Sequence, residues 1–238
     1  MSQAISTPVS YETAGEVALV RLDDGKVNAL SHEVITALHQ ALDRAEQEAK
    51  VVVMIGRPGT FSAGFNLKIM QAGPESARDL FRAGMDLFLR LYEFPIPVVA
   101  ACTGHALAAG AIWLMSCDVR IGADVDAKIG LNEVAIGMVL PPSVVTLARD
   151  RLSVRHVQAS VLLARLFSPA SAADAGYLDR VVPPEDVEDA ALAEAAGLAE
   201  GLSLAAFAGT RQVIRGPVAQ SIRQMLDGDT RSFTVGLS

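Results

Sequence analysis

The apolar run PIPVVAACTGHALAAGAIWLM at 95–115 is what any fold for this chain must accommodate first. It is long enough to tempt a membrane reading, yet Pro95, Pro97, Gly104, His105 and Gly110 divide it, and a spanning helix needs an unbroken apolar stretch. The division predicts a buried strand at PVVAACTG followed by an apolar helix at ALAAGAIWLMSC, both inside a protein core and neither in a membrane. A second run, VVVMIG at 51–56, is apolar at every position before its glycine, the pattern of a strand covered on both faces.

The remaining segments extend this alternation. GEVALVRLD at 15–23 reads as a strand ending in the turn DDGK. Ser31 is placed to cap a helix over 32–48, with Val34, Ile35, Leu38 and Leu42 at helical spacing. The stretch 76–93 is amphipathic, with Leu80, Met85, Leu87, Phe88 and Leu91 inward, and FPIP stops it because proline cannot continue a helix. DVRIGA reads as a strand, AKIGLNEVAIGM as a strand entering a turn, and 142–166 as mostly helix. Strand then helix, repeated, predicts an α/β core with covering helices. From Pro183 onward Ala, Glu and Leu dominate without a strand-like run, so the expected division is a core over 1–182 and a helical region over 183–238.

Charge and cysteine content exclude several functions. A net charge of -7 and a pI near 5.1 leave too few cations for a nucleic-acid surface. Cys102 and Cys117 sit in apolar surroundings with no CxxC spacing, the usage of reduced core thiols in a cytoplasmic protein. MSQAISTPVSYETAGE lacks the basic start and apolar stretch of a signal peptide. No Walker loop is present, and GHALAAG lacks GxGxxG spacing. No nucleotide cofactor and no metal are therefore expected.

Two loops and one acid carry the candidate chemistry. GTFSAGFNLK at 59–68 follows the strand VVVMIG and precedes a short helix at NLKIM. Gly59 and Gly64 then mark a sharp turn with bare amides beside a helix start, where a negative oxygen is favoured; an ordinary glycine turn has the same wording. TGHALAAGAIW also joins a buried strand to a helix through small residues, and amides converging from both loops would make an oxyanion hole. Glu133 is a lone carboxylate among Ile129, Leu131, Val134 and Ile136. Burial would raise its pKa and suit it to proton transfer, whereas a strand-end Glu could equally pair with an Arg or face water. His105 reads as a packed or capping residue, and Trp113 as core. Ser62 with His105 lacks a GxSxG elbow and a third partner. Lys68, Arg57 and Arg82 could meet phosphates or simply be solvated.

Taken together and in this order, these stretches resemble the crotonase superfamily, the enoyl-CoA hydratase and isomerase family, from GKVNALS through SAADAGYLDRVVP. The resemblance implies a ClpP-like spiral of β-β-α units, a C-terminal helical region that builds a homotrimer or a hexamer as a dimer of trimers, and an acyl-CoA substrate. Coenzyme A then arrives as part of the substrate and no separate cofactor is needed. Matched by motif, the amides of Phe65 and Ala109 would hold the thioester oxygen and Glu133 would act as base. Val27, Asn28 and Ala29 would lie along the CoA moiety through backbone groups. Ser62, Ala63, Gly64 and Lys68 on the first loop, with Gly110 and Ile112 in the central block, would complete the substrate contacts. Asp118 matches a family position and would fix backbone amides at a strand start.

The departures from that pattern select among reactions. Hydratases of the family carry a second glutamate where this chain has Ile112, and isoleucine cannot activate water. Asn66 replaces a common acidic residue, and Ala108 and Ala109 replace glycines. GLNE, FSAG and LRLYEFPIPVV resemble the single-glutamate enoyl-CoA isomerases. Hydration would require another acid, such as Glu93 or Asp23, to approach the site; a non-catalytic acyl-CoA-binding homologue is the other alternative.

Overall fold

The computed structural model describes residues 8–234. A hairpin of β1 (Val9–Ala14) and β2 (Val17–Leu22) leads through β3 (Ala29–Leu30) into helix α1 (His32–Glu48). The next unit runs β4 (Val51–Ile55), β5 (Gly59–Ser62), β6 (Gly64–Phe65), α2 (Leu67–Gln71) and α3 (Pro74–Tyr92). A third comprises β7 (Val98–Cys102), β8 (Gly104–Leu107) and α4 (Ala109–Ser116). A fourth has β9 (Val119–Ala123), β10 (Ile129–Gly130), a 3-10 turn at Val134–Ile136 and α5 (Pro142–Arg151). Helix α6 (Pro169–Ala175), β11 (Arg180–Val182), α7 (Val187–Gly201) and α8 (Leu204–Ser232) complete the chain. The recurring order of two strands and a helix is that of the expected spiral.

The first strands of the units build a six-stranded sheet in the order β1-β2-β4-β7-β9-β11, parallel except for the β1-β2 hairpin. The second strands of the later units form a parallel sheet, β10-β8-β5, and the short third strands of the first two units pair as β3-β6. Successive strand residues face opposite sides, and here each side has its own core. Val51, Val53 and Ile55 pack with Val99, Ala101 and Ile121 beneath the Ala191, Ala195 and Ala199 stripe of α7. Val52 and Met54 join the larger core with α1, α3 and α4. That is why VVVMIG carries no polar alternation.

Local signals set the helix boundaries. Ser31 Oγ accepts the Val34 amide at 3.3 Å, and the four expected apolar residues of α1 are buried. Helix α3 starts with Pro74 at its first position and ends before Phe94-Pro95, with all five expected residues buried. Asp118 accepts the Val98 amide at 2.7 Å at the start of β7. Its carboxylate also pairs with Arg211 and Arg215 of α8, pinning that helix to the core. The run at 95–115 is divided into β7, β8 and α4, and among the described residues no single helix is long and apolar enough to cross a membrane.

Four segments depart from the sequence reading. The polar-edged strand β1 was not anticipated, because VSYETA buries only Val9. The three-residue β11 was also too short to signal itself. The loop at 59–68 contains the strands β5 and β6, since pairing with β8 and β3 supplies hydrogen bonds that its composition does not announce. The helix expected over 142–166 ends at Arg151, where the Ser153 amide turns to the Ala175 carbonyl at 2.9 Å, and helical structure resumes only as a wide turn at Gln158–Leu162.

Candidate active site

The short strands β3, β6 and β8 and the segment after β10 meet at one cavity of about 540 Å³. Val27 before β3, Ala29 of β3, Phe65 of β6, Leu107 of β8 and Glu133 beyond β10 line it. Ala63, Lys68 and Ile112, also singled out from the sequence, share the wall, as do Asp24 and Asn132, which were not.

The two small-residue loops meet closely because glycines leave room. A Cβ on Gly110 would stand 2.2 Å from the Ser62 carbonyl, and one on Gly64 would stand 3.1 Å from the Ala109 nitrogen. Ala109 is the first residue of α4, so its N–H has no partner within the helix. On the other side, the Asn66 amide donates to the Leu30 carbonyl at 2.9 Å. In a parallel pair alternate residues face the partner strand, so Phe65 turns its N–H toward the open edge of β6. Its ring is held against Gly84, where a Cβ would stand 2.3 Å from the ring edge. Two backbone donors can therefore address one oxygen, and the α4 dipole favours negative charge there. At the far end of α4, Arg151 donates to the Met115 and Cys117 carbonyls, each at 2.9 Å.

Ala108 carries the local strain. Its φ of 49° and ψ of -118° suit glycine, not alanine, and its amide is held by the Gly130 carbonyl at 3.1 Å. Ala109 itself is helical, so the alanine next to the donor bears the unfavourable conformation and the donor does not.

Glu133 is 8% exposed and immediately precedes the 3-10 turn, which its carbonyl anchors by accepting the Ile136 and Met138 amides. Burial pushes its carboxyl from 4.5 up to about 7, against the lowering influence of its own amide and that of Asn132. Its Oε2 is buried without a hydrogen-bond partner, as is Oδ1 of Asn132. Asp24 is different. Partial burial opposes its ionisation, but the amides of Asn28, Lys26 and Ala29 outweigh that and hold its carboxyl below the usual value. Those bonds measure 2.9, 2.7 and 3.0 Å, so this carboxylate is spent on shaping the turn. The sequence signal for it was the DDGKVN turn, in which an Asp side chain commonly accepts amides two residues on.

Other sequence candidates fall outside the cavity wall. Asn28 is fully buried at φ 54°; its side chain donates to Leu22, Thr60 and Phe61 carbonyls, and its own carbonyl accepts from Ser62 Oγ at 2.8 Å. Asn28 and Ser62 thus tie the loops together from behind. Ser62 also accepts the Gly64 amide at 3.2 Å, and His105 accepts the Lys128 amide at 3.0 Å, so these two make no nucleophile pair. Trp113 is core, packed on Phe61 with ring centroids 4.9 Å apart. Cys102 and Cys117 are free, buried thiols pushed up to about 12 by burial. Arg57 pairs with Asp23, Arg82 with Asp86 and Asp227, and Glu93 with Arg223. Neither Asp23 nor Glu93 brings a second acid to the cavity.

Comparison with known proteins identifies the family and the fold. The model of the enoyl-CoA hydratase/isomerase family matches residues 12–235. A crystal structure of an enoyl-CoA hydratase/isomerase family protein from Pseudomonas syringae is similar with a TM-score of 0.93 and 40% identity, covering 97% of this chain and 100% of that one. An enoyl-CoA hydratase from Mycobacterium marinum is similar with a TM-score of 0.90 and 37% identity over 95% and 99% of the two chains. Human mitochondrial enoyl-CoA delta isomerase 1 is 30% identical over 97% of this chain and 78% of its own length. The crotonase fold is thus shared by relatives whose names divide between hydration and isomerisation.

Proposed function

Since this chain belongs to the enoyl-CoA hydratase/isomerase family, we propose that it is an enoyl-CoA delta isomerase that converts a 3-enoyl-CoA to the 2-enoyl-CoA. Glu133 takes a proton from the α-carbon, and the electron pair delocalises onto the thioester oxygen to give a dienolate. The N–H groups of Phe65 and Ala109 donate to that oxygen as its charge develops. The protonated Glu133 then returns the proton to the γ-carbon, so the reaction consumes no water and no cofactor beyond the coenzyme A of the substrate. One observation carries this reading: of the two carboxylates on the cavity wall, Asp24 is occupied by backbone amides, and Glu133 alone has an unpartnered oxygen. A buried base near pH 7 is matched to α-proton abstraction, and Ile112 keeps the opposite requirement, an ordered water, out of the pocket. Lys26 and Lys68 at the exposed edge suit the CoA phosphates. The exposed apolar side chains Val213 and Ile214 of α8 support assembly into a homotrimer or a dimer of trimers, which light scattering in solution tests.

Hydration is the second reading, favoured by one feature: the unpartnered Oδ1 of Asn132 beside Glu133 could hold a water. A paired assay separates the two, following a 3-enoyl-CoA for isomerisation and a trans-2-enoyl-CoA for water addition, with Glu133→Gln as control. Isomerisation alone, abolished in the variant, supports the one-base reaction. Hydration at a comparable rate replaces it with the second reading. Binding of acyl-CoA without either turnover would mark a non-catalytic acyl-CoA-binding protein.

A further inference from the structure

We infer that the stacked rings of Phe81 and Phe233 form a fixed end wall that sets the longest acyl chain this cavity accepts, and that the acyl chain ends in an uncharged alkyl group; this rests on the acyl-CoA reading above. Both rings line the cavity. They lie parallel, with centroids 4.3 Å apart at 10°, and are 1% and 7% exposed, so they close the cavity rather than leave it open to solvent. The wall spans distant parts of the chain. Phe81 comes from the middle of α3, and Phe233 follows the last turn of α8.

Two ties hold it in place. Arg78 of α3 donates to the Phe233 carbonyl at 3.4 Å, and the buried carboxylate of Asp229, one turn earlier, accepts the Ser143 amide at the start of α5 at 2.8 Å. An end of α8 fastened to both α3 and α5 is a stop, not a swinging lid. Met70, Leu140 and Val144 line the same cavity and offer no counter-charge or hydrogen bond. A terminal carboxylate or hydroxyl on the acyl chain would be desolvated there without compensation.

The test is a chain-length series of saturated acyl-CoAs measured by titration calorimetry, with the matching 3-enoyl-CoAs measured for kcat/KM. Each methylene moved from water into the cavity should strengthen binding about fourfold until the terminal methyl reaches the rings, after which the gain stops. Phe233→Ala should move that break to longer chains, with the long-to-medium ratio rising about sixteenfold for two newly admitted methylenes. Phe233→Trp should move it to shorter ones. Because Phe233→Ala could loosen the end of α8, Phe81→Leu on the long, anchored α3 provides a second variant, and it should shift the break in the lengthening direction. A break at the same chain length in all four proteins, or none in any, overturns the wall. An ω-carboxyl acyl-CoA binding as tightly as its alkyl counterpart overturns the chemical class. If the 3-enoyl-CoAs are not turned over while the binding break moves as expected, the isomerase reading fails and the wall stands.

Discussion

Replacing Glu133 by Gln removes the proposed base while keeping nearly its shape, and the structure makes two quantitative demands on that variant. Loss of a general base should lower kcat for isomerisation by roughly 10² to 10⁴-fold with little change in acyl-CoA affinity. In the wild type the reactive form is the carboxylate, so kcat/KM should fall about tenfold per pH unit below pH 7 and level off above it. The second demand is on stability and has the opposite sign to the activity. Burial raises the folded-state pKa from 4.5 to about 7, so between those values the folded protein keeps a proton that the unfolded chain has lost. The stability contributed by this group is therefore complete below pH 4.5 and is lost as pH rises through 7. At about 1.4 kcal/mol per unit of displacement, the loss is about 3 kcal/mol. The variant has no such titration. Any cost of burying the Gln amide does not depend on pH, so it shifts the curve without tilting it. Urea unfolding of both proteins at equal protomer concentration, from about pH 4 to about pH 8, should show the variant gaining about 3 kcal/mol relative to wild type across the range. A difference that does not change with pH would refute the buried, desolvated acid, and a variant retaining most of its rate would refute its role as base.

Three further substitutions probe the rest of the site. Ile112→Glu puts a second carboxyl on the cavity wall and should raise the ratio of water addition to isomerisation, while the buried acid destabilises the fold by about 2 kcal/mol or more; an unchanged ratio in paired assays would mean that Ile112 does not govern water. Gly64→Ala adds a Cβ 3.1 Å from the Ala109 nitrogen at a φ of 92°, so kcat should drop by roughly 10²-fold, and a folded variant within a few-fold of wild type would refute the two-amide site. Ala108→Gly relieves a φ of 49°, and strain of about 1 to 3 kcal/mol less the entropy of a new glycine leaves a net gain of about 1 kcal/mol. Calorimetry should find Tm raised by about 2 to 4 °C, and a lower Tm would show that the conformation is not strained.

What the sequence could reveal followed from how local each signal is. Ser31, the FPIP stop and the glycines before α2 and α4 act on backbone within a few residues, so their effects were readable in the string. The apolar run VVVMIG announced a strand with two covered faces but not what covered them, because α7 lies more than a hundred residues further on. Glu133 was visible as a lone acid in an apolar segment. Whether it faced water, an arginine or a cavity depended on β8, β10 and α4 meeting around it. Asn28 shows the converse: its motif suggested a ligand contact, and only packing could show that its side chain and carbonyl are consumed in tying its own turn to β5.

The sequence by itself therefore determined the alternation of strand and helix, the caps and stops, and the small-residue loops capable of presenting bare amides, whereas the second strands β5 and β6 emerged only with their pairing partners. Tertiary structure alone decided that Ala108 takes the strained conformation so that Ala109 can start a helix, that Asp24 is occupied while Glu133 is not, and that Phe81 and Phe233 close one cavity. The physical reason is common to all three: burial and the pairing of polar groups are properties of surfaces brought together from distant parts of the chain, and no local pattern of residues encodes which distant surface will arrive.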